Sequence, residues 1–509
     1  MMPHAAIEIG SPVMPHAAVE IMLWLFGLCI GSFLNVVVYR LPAGLSINRP
    51  PRSFCPRCRA GIAWYDNLPL ASWLLLRGRC RHCAAPIAVQ YPLIEALTGL
   101  AFVLVYHLLF VLGSRDGVSA AALPADLPLL LVWLVLAAGL VACAAMDILS
   151  YSVDVRVTLV VMIAGVVLHA LWPARGFLVE PAASVTAAAT LGAFVVSGLL
   201  LWRAAGRAAE HEPEPELAPN PAHPGPGAAP QPAARAAGIC GVAVFVALAV
   251  GLVLASTGRL PALPDLAVLA TLAALFAVIV LAGGLPRAAD QEIMAAIEDE
   301  RPQARHMALR ELKWLLPIVL AAAAVLVAAW ARPGFAAGWD RAVRWNPAGR
   351  FVPLAGAAYS IHGAVVGAAA GWLLRIVFTL VFGREAFGVG DIHILAAAGA
   401  AAGWDIALLG LLLSVGIALI GWLLGLLLKS TVMIPFGPWL ALGFLLALWW
   451  NVPATAIARS YADDIGHAWR IRPDLILLAV GVLLVGAAAG VALARLVRRW
   501  TEGGHQLKG

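Results

Sequence analysis

The sequence predicts an all-α, polytopic membrane protein, and three observations lead to that fold class. Of 509 residues, 62% are hydrophobic and only 12% charged, with a mean hydropathy of +0.90, whereas soluble chains carry about 25% charge. Apolar runs of about 20 residues, the length that crosses hydrocarbon as a helix, recur from end to end. Short alternating strands are not visible, and only helices or closed barrels satisfy their own backbone inside a bilayer. A soluble globular protein and a membrane β-barrel are thereby excluded.

About thirteen spans are expected, near 21–39, 92–113, 126–146, 155–172, 182–202, 238–257, 264–284, 314–332, 359–382, 391–404, 406–428, 434–451 and 474–494. The tenth is short for a full crossing. The first run carries no cleavage-site pattern and is read as a retained anchor after a tail over 1–20. Met2-Pro3-His4-Ala5-Ala6 returns as Met14-Pro15-His16-Ala17-Ala18, a repeated start to which no function is attached.

Lys and Arg placement orients the spans. The loop over 40–91 holds eight arginines and one acid, Asp66, and is expected in the cytoplasm. With thirteen crossings, Arg203, Arg207 and Arg235, the stretch 287–313, and Arg495, Arg498 and Arg499 fall on that same side. The net charge of +6 is thus read as membrane orientation, with no nucleic-acid partner. The segments 92–202, 238–358 and 359–451 are helical membrane regions, and 452–509 holds the last helix and tail. Between them, 203–237 reads as a Pro/Glu/Ala-rich linker. Residues 286–313, polar and of mixed charge, read as a surface helix leading into the next span.

Cys55-Pro56-Arg57-Cys58 and Cys80-Arg81-His82-Cys83 are two CxxC pairs about twenty residues apart in a basic loop. Each pair offers two thiolates on one tight turn, and four complete a closed tetrahedral zinc site. A reducing compartment argues against disulfides. The expected metal is structural zinc on Cys55, Cys58, Cys80 and Cys83. Cys29, Cys143 and Cys240 lie in apolar runs and are read as buried small hydrophobes.

Carboxylates at membrane depth are expensive and therefore informative. Asp147 ends the third span; Asp391 begins the tenth, in Gly388-Val389-Gly390-Asp391. Both fall at the cytoplasmic ends of their helices, so the carboxylates can meet and share a proton, one as base on water and one as acid on a carbonyl. Gly388 and Gly390 would let the backbone approach a substrate strand. Each aspartate alone also fits a helix cap or an interfacial group.

Several ordered blocks then resemble the bacterial type IV prepilin peptidases, polytopic GxGD aspartic proteases. They are Gly31-Ser32-Phe33-Leu34-Asn35 through Arg40-Leu41-Pro42; the double CxxC loop with Trp64-Tyr65-Asp66-Asn67-Leu68-Pro69; Tyr91-Pro92-Leu93-Ile94-Glu95; the Asp147 region; Gly388-Val389-Gly390-Asp391; and Ile434-Pro435-Phe436-Gly437-Pro438. They cover roughly 31–160 and 380–445. The resemblance implies an inner-membrane endopeptidase that removes the leader of prepilins and pseudopilins after a glycine at the cytoplasmic face. It further implies N-methylation of the new terminus from S-adenosylmethionine. It carries the catalytic aspartates to Asp147 and Asp391, while no donor-binding residues are identifiable.

There are departures from the family pattern. Val153-Asp154-Val155 stands where the family commonly has a Leu/Ile-Pro-Asp/Asn step, so Asp154 sits in the proline position and is not carried over as catalytic. Ile392-His393 replaces Val-Lys, and a histidine is a weaker, titrating cation. The stretch between the aspartates is also far longer than usual. The small residues from Ala396 to Gly403 are expected to allow close contact with a substrate helix. Two other classes stay open: a polytopic transporter, which has no need of the Cys loop, and a non-catalytic zinc-ribbon docking protein, which leaves the aspartates unexplained. Oligomeric state is not legible.

Overall fold

The computed structural model describes residues 15–48, 53–55, 57–114, 123–172, 192, 232–257, 263–283, 289–332, 334, 338, 353–383, 385, 387–427 and 435–450. Among these, regular structure is helical throughout, apart from two isolated antiparallel bridges, Phe54 with Gly61 and Arg79 with Pro86. In chain order the helices are α1 His16–Arg40, α2 Ala71–Leu75, α3 Gln90–Tyr106 and α4 Leu123–Ser150. They continue as α5 Val155–Leu171, α6 Pro232–Ala255, α7 Leu263–Gly283 and α8 Ala289–Trp330. The last are α9 Pro353–Phe382, α10 Val389–Ala402, α11 Trp404–Leu427 and α12 Gly437–Trp450. A π turn over His107–Val111 lengthens α3.

Five of these are long and apolar enough to cross a membrane: His16–Arg40, Gln90–Val111, Leu123–Ser150, Pro353–Phe382 and Trp404–Gly425. Val155–Leu171, Cys240–Ala255, Pro264–Val280, Val389–Ala402 and Gly437–Trp450 are shorter apolar helices of 10–17 residues. At 1.5 Å per residue, the 17-residue α5 and the 14-residue α10 fall short of about 30 Å of hydrocarbon, whereas α6 and α7, at 24 and 21 residues, reach it. Among the described residues the all-α membrane class therefore stands on five long apolar helices and several shorter ones. The expected span 314–332 is the C-terminal part of α8, which runs unbroken from the polar stretch through Pro302 and Pro317. The expected spans 182–202 and 474–494 and the linker up to residue 231 lie outside the described residues, apart from residue 192. Helix α1 begins at His16 and α6 at Pro232. His16-Ala17-Ala18, the end of the second copy of the N-terminal repeat, opens α1, where His16 Nδ1 lies 3.1 Å from the Tyr106 hydroxyl.

Close packing depends on glycine at three interfaces. Gly27 and Gly31 of α1 lie one turn apart on the face that meets α3, and a Cβ at Gly27 would sit 2.7 Å from Gly99 Cα. Gly363 and Gly367 of α9 meet the carbonyls of Gly399 and Leu395 on α10 so closely that neither position has room for a methyl group. Gly165 of α5 does the same against Ala400, whose carbonyl also accepts from Ser360 Oγ at 2.7 Å. With little hydrophobic driving force between helices in lipid, such backbone contact is a main source of association. It also alters one expectation. The small residues from Ala396 to Ala402 are buried against the protein's own α9 and α5 and present no surface to a substrate helix.

Polar bonds tie helices together at both ends of the bundle. At one end of the bundle, Asn35 donates to Tyr91 O at 3.1 Å, Arg156 to Leu41 O at 3.3 Å and Arg305 to Leu380 O at 3.2 Å. At the other end, Trp172 donates to Asp126 at 2.8 Å, and Glu20 meets His107 at 2.8 Å with both side chains fully buried. Removing one member of such a buried pair would leave an unsatisfied polar group, at a cost of about 1–3 kcal/mol. Cys143 is buried as expected, but Cys29 and Cys240 are exposed. Their helices turn those faces outward, where lipid accepts an apolar side chain as readily as a core does.

Candidate active site and metal centre

The Cys loop folds as two copies of one knuckle. In the first, Cys55 N–H donates to Ala60 O at 2.9 Å, Arg59 N–H to Cys55 O at 2.8 Å and Ile62 N–H to Ser53 O at 2.9 Å. In the second, Cys80 N–H donates to Ala85 O at 2.8 Å, Ala84 N–H to Cys80 O at 2.9 Å and Ile87 N–H to Gly78 O at 2.8 Å. Each turn closes through one residue with positive φ, Arg59 at 58° and Ala84 at 55°. The Sγ atoms of Cys55, Cys58, Cys80 and Cys83 all lie within 4.8 Å of one another, and Cys55 and Cys83 are 3.9 Å apart. A tetrahedral zinc with about 2.3 Å bonds sets its sulfurs about 3.8 Å apart, whereas a disulfide needs about 2.05 Å. The four thiols therefore fit a closed, structural zinc site. The Cys83 backbone N–H brings the Cys80 thiol down to about 7, while, despite the Ala85 N–H, burial and the neighbouring sulfurs push Cys83 up to about 11. Without a metal the cluster therefore favours a thiolate on Cys80 before Cys83.

Side chains fasten this loop to the helices. Glu95, buried in the second turn of α3, accepts from Leu70 N–H at 2.8 Å. That bond seats the turn before α2, where Leu70 takes a φ of 56°. The loop's lone acid, Asp66, takes two hydrogen bonds from Arg81, at 2.5 and 2.7 Å, and the Arg81 guanidinium holds Asp66 below the usual carboxylate range. Arg81 also lies over the Tyr65 ring, 5.5 Å from its centre. Trp73 is buried and donates to Ile87 O at 3.3 Å, tying α2 to the second knuckle.

Asp147 sits in the last turn of α4 and Asp391 in the first turn of α10. Both are at the end of the bundle that carries the Cys loop, and their carboxylates are close enough for their charges to interact. Three segments converge around them. Gly437 N–H, at the start of α12, donates to Asp147 Oδ2 at 2.7 Å. Gly388 N–H donates to Asp391 Oδ2 at 3.3 Å, so Asp391 reaches back over the first turn of its own helix. Val153, in the turn between α4 and α5, lies so near Gly390 that a Cβ there would come within 2.9 Å. Phe387 and Phe436, which precede the two glycine segments, meet edge to face with ring centres 5.7 Å apart.

Gly390 makes room for Val153, a neighbour within the fold, and Gly388 supplies an N–H to Asp391. Asp154 is the N-cap of α5. It accepts from Arg156 N–H at 2.9 Å and pairs with the Arg156 guanidinium at 2.6 Å, which holds its carboxyl low. His393 is half-buried on α10. Sequence reasoning assigned no role to Gly437, although it had singled out its block, nor to Glu95 and Arg375. Ionisable residues inside apolar helices are a signal that applied to both of the latter.

Residues 25–109 match the Bacterial Peptidase A24 N-terminal domain. The chain is similar to the prepilin leader peptidase/N-methyltransferase of Myxococcus xanthus, 45% identical over 148 residues, covering 29% of this chain and 39% of that one. It is also similar to the prepilin leader peptidase/N-methyltransferase of Klebsiella pneumoniae, 51% identical over 92 residues, covering 17% and 40%. A type 4 prepilin-like proteins leader peptide-processing enzyme of Escherichia coli O78:H11 is 48% identical over 95 residues, covering 15% and 35%. The chain thus spans about two fifths or less of the length of these relatives. No solved structure matches.

Proposed function

We propose that this chain, which carries a bacterial peptidase A24 N-terminal domain, is an inner-membrane aspartic endopeptidase that removes the leader from type IV prepilins and pseudopilins. The observation that carries the reading is that Asp147 and Asp391, on helices far apart in sequence, meet at one junction, with Gly437 N–H on the first, Gly388 N–H on the second, and Phe387 packed on Phe436 between the two glycine segments. In this reading the ionised aspartate takes a proton from water as its oxygen attacks the scissile carbonyl. The protonated partner gives its proton to the carbonyl oxygen. Collapse of the tetrahedral intermediate expels the amine, which leaves with a proton from the dyad. The Arg excess of the Cys loop supports a cytoplasmic position for this end of the bundle. Zinc on Cys55, Cys58, Cys80 and Cys83 would cross-link the two knuckles and leave no coordination position for water.

The names of the relatives support a second step, transfer of the methyl group of S-adenosylmethionine to the newly exposed amine, with loss of an amine proton and release of S-adenosylhomocysteine. The test uses the full chain in detergent with a purified prepilin and reads product mass. Wild type is expected to release the leader, while Asp147→Asn and Asp391→Asn, inserted and folded, release none. A product one methyl heavier, seen only with added S-adenosylmethionine, supports the second activity. Intact substrate with wild-type enzyme would turn the reading toward a non-catalytic docking protein.

A further inference from the structure

Helix α8 belongs to the long stretch between the two aspartates, for which neither the A24 domain match nor the dyad supplies a role. Its polar half nonetheless reaches the loop that holds Asp391. Arg305 donates through Nε to Leu380 O at 3.2 Å, and its guanidinium lies against Gly383, where α9 ends with a φ of +68°. Two turns further on, Glu311 accepts from Arg375 Nε and Nη2, each at 3.2 Å. Arg375 points its remaining nitrogen, Nη1, the other way. That atom pairs with the Glu385 carboxylate and donates to Phe387 O at 2.9 Å.

This places one guanidinium between two carboxylates and a loop carbonyl, with the Arg375 side chain 12% exposed. A planar fork presents separate nitrogens to partners on opposite sides, which the single ammonium of a lysine cannot do. A cation in an otherwise apolar helix is costly unless paired, and here the pairing extends to the candidate site. Phe387 is followed by Gly388, whose N–H bonds Asp391. The Phe387 ring rests on Phe436, whose neighbour Gly437 bonds Asp147. Displacing Phe387 would therefore disturb the amide contact of both carboxylates.

We propose that α8 is a clamp on the Asp391 loop, acting through Glu311, Arg375 and the Phe387 carbonyl, and that Arg375 is a positioning residue for the dyad. The clamp stands on these contacts alone, and its catalytic consequence rests on the aspartic peptidase reading. The test uses the full chain in lipid nanodiscs with two readouts: amide hydrogen exchange over residues 383–390, and kcat and KM for prepilin cleavage. Arg375→Lys and Glu311→Gln are both expected to raise exchange in that loop. They are expected to lower kcat by roughly tenfold to a hundredfold, the penalty of slight misplacement, with KM little changed. Arg310→Gln, an exposed site on the same helix, is expected to match wild type in both readouts. Glu311→Gln keeps the test decisive if Arg375→Lys fails to fold. Unchanged exchange in Glu311→Gln overturns the clamp, and raised exchange with wild-type kcat overturns the positioning role. If wild type cuts nothing, the peptidase reading fails, and the exchange result still decides the clamp.

Discussion

Gly437 N–H donates to Asp147 Oδ2 at 2.7 Å, joining residues 290 positions apart in the chain. A Cβ at Gly437 would itself lie 2.7 Å from that oxygen and 3.4 Å from Asp147 Cγ. Gly437→Ala must therefore push the carboxylate away and weaken the hydrogen bond that fixes it. A hydrogen bond to a charged group is worth about 1.5–3 kcal/mol, so the expected loss is roughly tenfold to a hundredfold in cleavage rate. Steady-state kinetics with helicity checked by circular dichroism measures it. A Gly437→Ala enzyme with wild-type kcat would show that this contact has no part in the chemistry.

The paired knuckles predict a definite metal content. Purified full chain should hold about one zinc, since four thiolates complete one closed site. Cys58→Ser and Cys83→Ser should each lower the zinc recovered by elemental analysis and release the fold of the loop. Trypsin then cuts sooner at Arg57, Arg59, Arg77 or Arg79, which the knuckles hold in tight turns. Full occupancy in both variants would mean that the metal sits elsewhere.

Asp154 is expected to be structural. As N-cap of α5 it satisfies Arg156 N–H at 2.9 Å, and replacing such a cap with alanine costs about 1 kcal/mol. The sign of its pH dependence follows from its lowered pKa. A carboxyl held down in the folded state contributes stability above its unfolded value, near pH 4, and loses that contribution as the pH falls through the folded value. The destabilisation of Asp154→Ala should thus be full at pH 7 and shrink in acid below about pH 4. Thermal melting across pH measures this. Cleavage by Asp154→Ala should survive, and its abolition alongside an intact Asp147→Asn enzyme would reassign the first aspartate.

Much of this arrangement was legible in the sequence because its signals are local. The CxxC pairs at Cys55 and Cys80 announce their geometry by spacing, and a run such as 21–39 announces a helix by length. Asp147 and Asp391 were legible through the cost of a carboxylate at membrane depth. Contacts across the bundle were not. Nothing near Gly437 shows that its N–H faces Asp147, and nothing in 286–313 shows that Glu311 meets Arg375. The small residues around Gly399 signalled close packing but not the identity of the partner, which is the protein's own α9. Helix count also exceeded what sequence could settle, because a 14-residue apolar helix such as α10 reads as a span when its neighbours are spans.

The α9–α10 interface gives the last prediction. Gly363 lies directly on the Gly399 carbonyl, so a larger side chain cannot enter without separating the helices. Overpacking of a tight interface costs about 1–3 kcal/mol. Because α10 carries Asp391 in its first turn, a shift of the helix also moves the carboxylate away from Asp147. Gly363→Val is expected to lower the melting temperature in detergent and to reduce cleavage more steeply than the melting shift alone accounts for. Gly416→Ala on α11, where an added Cβ meets nothing within 4 Å, is the matched control and should leave both readouts near wild type. If Gly363→Val melts earlier but cleaves normally at a temperature where it is fully folded, the interface stabilises the fold without setting the geometry of the dyad.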